Sequence, residues 1–156
     1  MNCESVEISN ASPSDLGEVL ALLSTVDLPH EGVAEHFGGF LVARDGEGQL
    51  VGTIGIERYG DVGLLRSAAV SPELQRTGLG SCLTSILLER AAVGGVEKVV
   101  LLTATARDFF ARRFGFTVAE RADYDRQFAE SPEWGLPRCS TAVCMSLGLK
   151  GDRVRG

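Results

Sequence analysis

The order of strands and helices along the chain predicts an α+β fold with a mixed central sheet. Apolar runs bounded by turn residues predict strands, and the segment 68–83 has the pattern of a strand, a glycine-rich loop and a helix. The strands before this segment follow one another through short turns, which predicts an antiparallel meander. The strands on either side of its helix should be parallel and joined by a right-handed crossover. A chain of 156 residues can bury one core, so we expect one domain over 1–148 and a polar tail over 149–156.

The first helix is predicted from its start signal and its apolar stripe. Ser12 can cap it, Pro13 suits its first turn, and Asp15 is three residues after the cap. Its apolar residues recur at helical spacing, at Leu16, Val19, Leu20 and Leu23. A short strand over 5–9 precedes this helix.

The segment 27–39 contains both histidines and two nearby carboxylates, and it has two interpretations. It is either a lid that faces the substrate, which makes Glu31 a substrate-binding candidate, or a solvated short helix over 31–37.

The rest of the chain alternates strands and helices. Turn residues and apolar runs predict strands over 40–44, 50–58, 63–70, 98–103, 116–122 and 139–147. Helices are predicted over 81–92 and 107–113, the second with Thr105 as its cap. The stretch 123–138 should be an irregular connection with a little helix.

Composition excludes several classes of protein. The net charge of −6 argues against nonspecific nucleic-acid binding. Residues 1–60 carry 2 basic and 10 acidic residues and residues 61–156 carry 13 and 11, so the second part either favours an anionic ligand or shows chance clustering. The first residues lack the pattern of a signal peptide and no apolar run approaches membrane-spanning length, so we expect a cytoplasmic protein without a membrane partner. The four cysteines form no C-x-x-C pair, so we expect free thiols and no metal site.

The loop before the second long helix is a candidate anion site. Gly78 and Gly80 let the backbone approach a ligand, and a helix N-terminus presents N–H groups that lack an intrahelical partner. Together with the helix dipole, these groups form a seat for a phosphate or pyrophosphate. The other interpretation is an ordinary tight turn between a strand and a helix.

In its motif the chain resembles the GCN5-related N-acetyltransferases. The acetyl-CoA signature of that family, V-x-P-x-x-[QR]-x-x-G-x-[GA], is matched by residues 70–80, and Gly115-Phe116 closes the next helix as in the family. The resemblance covers nearly the whole chain and implies a single domain of this fold, in which the parallel strands ending at Val70 and Thr103 splay apart.

The resemblance also implies which residues bind acetyl-CoA, the expected co-substrate. The backbone of the loop should hold the pyrophosphate of coenzyme A, through Gln75, Arg76, Thr77, Gly78, Leu79, Gly80 and Ser81. Ala68, Ala69 and Val70 should present strand-edge groups to the pantetheine arm. A backbone N–H at or next to Val70 should polarise the thioester carbonyl.

A narrower resemblance concerns the acceptor. Residues 63–67, 101–110 and 142–145 are similar to ArsN-type arsenic-resistance acetyltransferases and to the acetyltransferase domain of N-acetylglutamate synthase. Ala104 replaces the second Thr of the shared L-T-T-x-T pattern, and the segment 110–115 is one residue longer than usual.

The proton-transfer groups that are usual in the family are missing. Leu64 occupies the position of the carboxylate base, and Ala111 occupies the position of the tyrosine acid. Either the enzyme works by positioning alone, or other groups take part, and Glu57 and Tyr59 are the candidates. For these two residues the ordinary interpretations are a solvated strand-end carboxylate and a hairpin aromatic.

Arg66 is the candidate for acceptor binding. It lies two residues from Leu64 and four from Val70, which on a regular strand places all three on one face. A buried arginine requires a partner, which is either an anionic group of the substrate or an internal acid such as Glu57.

These observations predict an acetyl-CoA-dependent N-acetyltransferase that acts on a small amino-acid-like acceptor such as an organoarsenical. The alternatives are a protein or peptide N-acetyltransferase and a non-catalytic acetyl-CoA-binding module. The family often dimerises, so a homodimer is also an expectation, although the sequence does not locate an interface.

Overall fold

Seven strands form a mixed sheet in the computed structural model, which describes residues 5–139 and 141–149. The strands follow the order β1-β2-β3-β4-β5-β7-β6. Their bounds are β1 Glu7–Asn10, β2 Phe40–Arg44, β3 Leu50–Tyr59, β4 Val62–Val70, β5 Lys98–Thr103, β6 Thr117–Val118 and β7 Val143–Gly148. The α-helices are α1 Leu16–Thr25, α2 Leu79–Val93 and α3 Arg107–Phe114. The predicted α+β class with its antiparallel meander is confirmed.

The chain forms two compact units, and the prediction of one domain over 1–148 stays a prediction. The first unit contains residues up to 56 together with 67–89, and the second contains 57–66 and the residues from 90 onwards.

The first unit has its own apolar core. The stripe of α1 packs there as predicted, with Val19 and Leu23 fully buried and Leu16 and Leu20 partly buried. A 3₁₀-helix over Pro13–Asp15 precedes α1, and the backbone N–H of its cap residue, Ser12, donates to the Asp15 carboxylate over 2.8 Å, as a capping box requires. Ser12 therefore caps this 3₁₀-helix and not α1, whose cap position is held by Asp15.

The neighbouring strands β2 and β3 of this unit pack closely where Phe40 faces Gly55. Gly55 is paired with Phe40, and a Cβ on Gly55 would lie 2.3 Å from the Phe40 ring. The absence of a side chain at Gly55 therefore leaves space for the Phe40 ring next to β3.

The second unit has another core cluster, made by Leu64, Val100, Phe128, Trp134 and Cys144. Within it, β4 pairs in parallel with β5 over Val62–Leu65 and Lys98–Leu101, as predicted for strands joined by a crossover helix. The antiparallel strand β7 pairs along the whole of β5.

Several local predictions are wrong. No helix forms over 31–37: the chain makes turns, with positive φ at Gly32, and then a 3₁₀-helix over Phe37–Gly39. The strand expected over 116–122 is reduced to Thr117–Val118 because the chain enters a 3₁₀-helix over Arg121–Tyr124. Thr105 is not the cap of α3, since Ala106 holds that position and its N–H donates to the Thr103 hydroxyl.

The C-terminal predictions also need correction. The last strand begins at Val143 and not at Cys139, which ends a 3₁₀-helix over Pro137–Cys139. The predicted tail begins with Leu149, which is buried, and its N–H donates to the Glu97 carbonyl over 2.8 Å. The remaining residues of that tail, 150–156, lie outside the described residues.

Cys82 is disulfide-bonded, so the expectation of free thiols is wrong there, whereas Cys139 and Cys144 are buried and form no disulfide.

Candidate functional site

The loop between β4 and α2 has the backbone geometry of an anion-binding site. After a 3₁₀-turn over Pro72–Leu74, both Arg76 and Gly78 have positive φ, at 69° and 95°. A positive φ reverses the direction of successive backbone groups, and two such residues in a short loop curl it. Helix α2 begins immediately afterwards at Leu79. The N–H groups of its first turn, which have no partner within the helix, therefore come directly after the curled loop.

Hydrogen bonds within the loop fix this shape. The Gln75 side-chain amide donates to the Val70 carbonyl over 3.1 Å, and the Thr77 hydroxyl donates to the Leu74 carbonyl over 2.6 Å. The outer part of the loop, including Gln75, Arg76 and Thr77, is exposed. The backbone can therefore be approached from solvent while its conformation is already set, which suits a preformed phosphate site.

The end of β4 that precedes the loop is irregular. Ser67 has φ of 60° within the strand, which interrupts the alternation of side chains. Ala68 is exposed, Ala69 belongs to the core and Val70 is half-buried. The spacing argument that placed Val70 on the same face as Arg66 assumed a regular strand, and the positive φ at Ser67 removes that assumption.

A buried polar cluster lies in the second unit, and an ion pair forms its centre. Arg66 Nη1 lies 2.7 Å from Glu57 Oε2, and neither side chain has any solvent exposure. The interpretation of Glu57 as a solvated carboxylate is thus wrong. Of the two partners considered for Arg66, the structure shows the internal acid.

Tyr59 forms a hydrogen bond with the second carboxylate oxygen of Glu57. Its hydroxyl donates to Glu57 Oε1 over 2.6 Å, and it is also hydrogen-bonded to Ser131. Burial, followed by the hydrogen bond to Glu57, raises the pKa of Tyr59 well above its usual range. Tyr59 is therefore a weak acid that orients Glu57, and Glu57 already has both oxygens engaged.

Glu133 is the member of this cluster that the sequence analysis missed. It is 7% exposed, and its Oε1 is buried without a hydrogen-bond partner in the described part of the chain. Burial, opposed by the charge of Arg66 and reinforced by that of Glu57, raises the pKa of Glu133 to about 7. A carboxyl that titrates near neutrality and has an unused oxygen is suited to exchanging a proton.

The segment that carries Glu133 has little regular structure, yet aromatic packing holds it against the strands. The Phe128 ring lies edge-on to Tyr59 at 5.5 Å and at 4.8 Å from Trp134. Arg121 stacks on Trp134, at 4.8 Å from its ring, and donates to the carbonyls of Trp134 and Cys139. In the sequence, Glu133 lies between Phe128 and Trp134 in a polar stretch, but it belongs to no motif that marks it as functional.

Other predicted residues lie away from this cluster. Glu31 is exposed in a turn of the first unit. Leu64 is fully buried and Ala111 is exposed on α3, so the two positions that usually carry proton-transfer groups remain apolar. The described residues contain no group of three or more His, Cys, Asp or Glu arranged to hold a metal ion. No described helix has the length and apolarity of a membrane span.

Comparison with known proteins identifies the class of this fold and loop. The acetyltransferase (GNAT) domain family matches residues 36–118, which include the whole loop. An uncharacterised protein of Bacillus subtilis, YwlB, is 34% identical over 108 residues, 67% of this chain and 72% of that protein. The chain therefore belongs to the GNAT acetyltransferase family, whose domains use acetyl-CoA as co-substrate.

Solved structures agree with this assignment. N-acetylglutamate synthase from Neisseria gonorrhoeae, complexed with coenzyme A and L-arginine, has a TM-score of 0.77 and 24% identity over 94% of this chain. This chain spans only 34% of that protein. A Mycobacterium tuberculosis protein crystallised with CoA has a TM-score of 0.74 and 26% identity, covering 92% of this chain and 99% of its own.

Proposed function

We propose that this protein transfers the acetyl group of acetyl-CoA to the amino group of a small amino-acid-like acceptor. The observation that carries the proposal is the curled loop before α2, with positive φ at Arg76 and Gly78, in a chain of the GNAT family. An amino-acid acceptor is supported by the shared fold with N-acetylglutamate synthase, which has also been solved with coenzyme A and N-acetyl-glutamate, at a TM-score of 0.76 and 22% identity.

The loop would hold the donor. Backbone N–H groups over 75–81 would bind the pyrophosphate, assisted by the dipole of α2. Ala68 is small and exposed next to the strand edge, which leaves room for the pantetheine arm. The backbone N–H at or next to Val70 would stabilise the negative charge that develops on the thioester oxygen during attack.

The buried cluster would serve the acceptor. Because Glu57 neutralises Arg66, this arginine is better suited to holding Glu57 and Tyr59 in place than to binding a substrate anion alone. A substrate carboxylate at Arg66 would have to share the guanidinium with Glu57. An organoarsenical acceptor of the ArsN type is one member of the same class, an amino acid with an anionic side chain.

Two other functions follow from specific observations. The excess of acidic residues over 1–60 would suit a cationic peptide acceptor. The apolar residues at positions 64 and 111 would suit a module that binds acetyl-CoA without turnover.

Thiol release from acetyl-CoA distinguishes these functions. The acceptors are L-glutamate, other amino acids, a glutamate-like organoarsenical and a lysine-containing peptide. Free thiol with an amino acid supports the proposal, release with the peptide alone supports the second function, and binding without release supports the third.

A charge reversal tests the donor site. Arg76→Glu places a negative charge at the phosphate seat, and because Arg76 already has a side chain at positive φ, it adds no new Cβ. We expect the Kd for CoA to rise about tenfold or more, which corresponds to about 1.4 kcal/mol. Gly78→Glu should abolish binding, whereas Gly46→Glu, in an exposed turn with open space around it, should leave the Kd unchanged. An unchanged Kd in both loop variants would contradict this placement of the pyrophosphate.

A further inference from the structure

We propose that Glu133 is the proton acceptor for the amino group of the acceptor, in place of the missing family carboxylate. This inference rests on the proposed function, since it assigns a residue to the same acetyl transfer. Its basis is geometric: one oxygen of this carboxyl is buried and has no hydrogen-bond partner among the residues that the structure describes, and the other acid of the neighbouring cluster is already engaged.

The two acids of the cluster differ in the use of their oxygens. Glu57 binds Arg66 through Oε2 and Tyr59 through Oε1. Taking a proton on either oxygen would weaken a bond that organises the cluster. Glu133 Oε1 makes no such bond within residues 5–139 and 141–149, so it can accept a proton without breaking a hydrogen bond of the cluster.

Burial is the main reason that Glu133 ionises close to neutral pH. The loss of hydration raises the pKa of Glu133, the charge of Arg66 opposes this, Glu57 adds to it and Arg121 opposes it, and the pKa reaches about 7. An ammonium group entering the cluster would meet a carboxylate that is desolvated and only partly compensated, which favours proton transfer from nitrogen to oxygen.

The proton and electron balance of the step is simple. Glu133 takes one proton from the ammonium and leaves a neutral amine, whose nitrogen lone pair forms a bond to the acetyl carbon. The bond between that carbon and sulfur breaks, the thiolate receives the second nitrogen proton and leaves as the thiol, and Glu133 returns its proton to water. No further reactant is needed.

The packing of the segment 128–134 accounts for the position of Glu133. Phe128 and Trp134 anchor the two ends of the segment beside Tyr59, and Ser131 is hydrogen-bonded to both the Tyr59 hydroxyl and the Trp134 backbone N–H. Glu133 lies between these anchors, which fixes its backbone without engaging Oε1.

The test is Glu133→Gln, with Glu130→Gln as the matched control. Glu130 is exposed in the same segment, so its replacement removes an equal charge from outside the cluster. Thiol release with the amino acid on which the wild type turns over should fall about 100-fold or more in kcat for Glu133→Gln. The Kd for acetyl-CoA, measured by calorimetry, should stay within about twofold and also reports folding. The Glu130→Gln variant should keep wild-type kcat.

The pH profile separates proton transfer from a structural role. In the wild type, kcat/KM should rise to a break near pH 7, where Glu133 ionises. In Glu133→Gln the break should vanish, and the rate should keep rising toward the pKa of the free amine, because only amine already neutral in solution can react.

Each outcome decides the matter. A variant with near-wild-type kcat and the same break overturns the role of Glu133 while leaving the proposed function intact. A variant that loses kcat but keeps the break shows that Glu133 is structural and also overturns the inference. A wild type that releases no thiol with any acceptor in the panel refutes the proposed function itself, and the role of Glu133 with it.

Discussion

The ion pair between Glu57 and Arg66 yields the prediction with the largest expected effect on stability. Both side chains are fully buried and their charged atoms are 2.7 Å apart. Arg66→Met leaves the Glu57 carboxylate in the core with its cation removed, and breaking a buried pair in this way costs about 3–5 kcal/mol. Glu57→Leu removes the ion-pair partner of the Arg66 guanidinium and should cost a similar amount.

The double variant is expected to cost less than the sum of the single changes. Removing both charges leaves no unpaired ion, and apolar replacement of a buried pair is often close to neutral. The residual cost should come from Tyr59, whose hydroxyl loses its acceptor on Glu57, and a lost hydrogen bond of this kind costs about 1–3 kcal/mol.

Urea unfolding followed by circular dichroism measures these differences. With a slope of about 2 kcal/mol/M, a loss of about 4 kcal/mol lowers the midpoint by about 2 M. The control is Glu18→Gln, which breaks the exposed pair with Arg44 and should cost under about 1 kcal/mol. Single variants that stay within about 1 kcal/mol of wild type, or a double variant whose cost is additive, would refute the reasoning.

This prediction also changes how Arg66 can be used to study the acceptor. From sequence alone, Arg66→Ala should raise KM for the acceptor and spare acetyl-CoA binding. Because Arg66 holds Glu57, the same variant is now expected to lose stability as well. A rise in KM would implicate Arg66 in binding only if the variant remained folded under assay conditions.

Three further predictions concern single residues. Glu133→Gln should raise the free energy of unfolding at pH 8 by up to about 3 kcal/mol, since the pKa of this carboxyl rises from 4.5 to about 7 on folding and each pKa unit is worth about 1.36 kcal/mol. The gain should vanish below about pH 4.5, where the carboxyl is neutral in both states. Gly55→Ala should cost about 1–3 kcal/mol in chemical denaturation because its Cβ would strike the Phe40 ring. Asp15→Asn should lower the free energy of unfolding at pH 7, because backbone hydrogen bonding and then Arg44 hold the pKa of Asp15 below its usual range. This deficit should shrink as the pH falls through that lowered pKa, and a deficit that does not change with pH would contradict the assignment.

Much of the fold follows from local sequence signals. Strands β2 and β5 were predicted with their observed bounds because unbroken apolar runs ending at turn residues leave little freedom in their placement. The loop before α2 was equally predictable, since its glycines and the proline at position 72 each require a particular backbone shape.

Predictions failed where tertiary contacts decide the structure. The segment expected to extend β6 turns away after Val118, because Arg121 is engaged by carbonyls contributed by Trp134 and Cys139. Those partners are 13 and 18 residues away in sequence, so no local pattern marks the change. Ser67 likewise gives no sign in sequence that its φ is positive.

The buried cluster that we propose for the acceptor was the least predictable part of the candidate site for the same reason. Glu57 and Tyr59 were chosen because they end a strand near the motif, and this placed two members of the cluster. The burial of Glu57 and Tyr59 depends on Arg66, which forms the ion pair with Glu57, and on the segment 128–134. That segment is more than 60 residues further along the chain. Glu133 belongs to that segment and has no motif of its own.

Glu133→Gln is expected to raise stability and to lower activity. These opposite changes would indicate that the burial of Glu133 serves catalysis and not the stability of the fold. A carboxylate without a partner in the core lowers the stability of the fold, and a glutamine of the same shape should raise it. A group that destabilises the fold and is nevertheless surrounded by well-packed aromatic anchors is typical of active sites, where pKa tuning is obtained at the expense of stability. Glu133→Gln should therefore be more stable and less active than the wild type. A purely structural residue would lose stability on replacement, and a surface residue would change neither property.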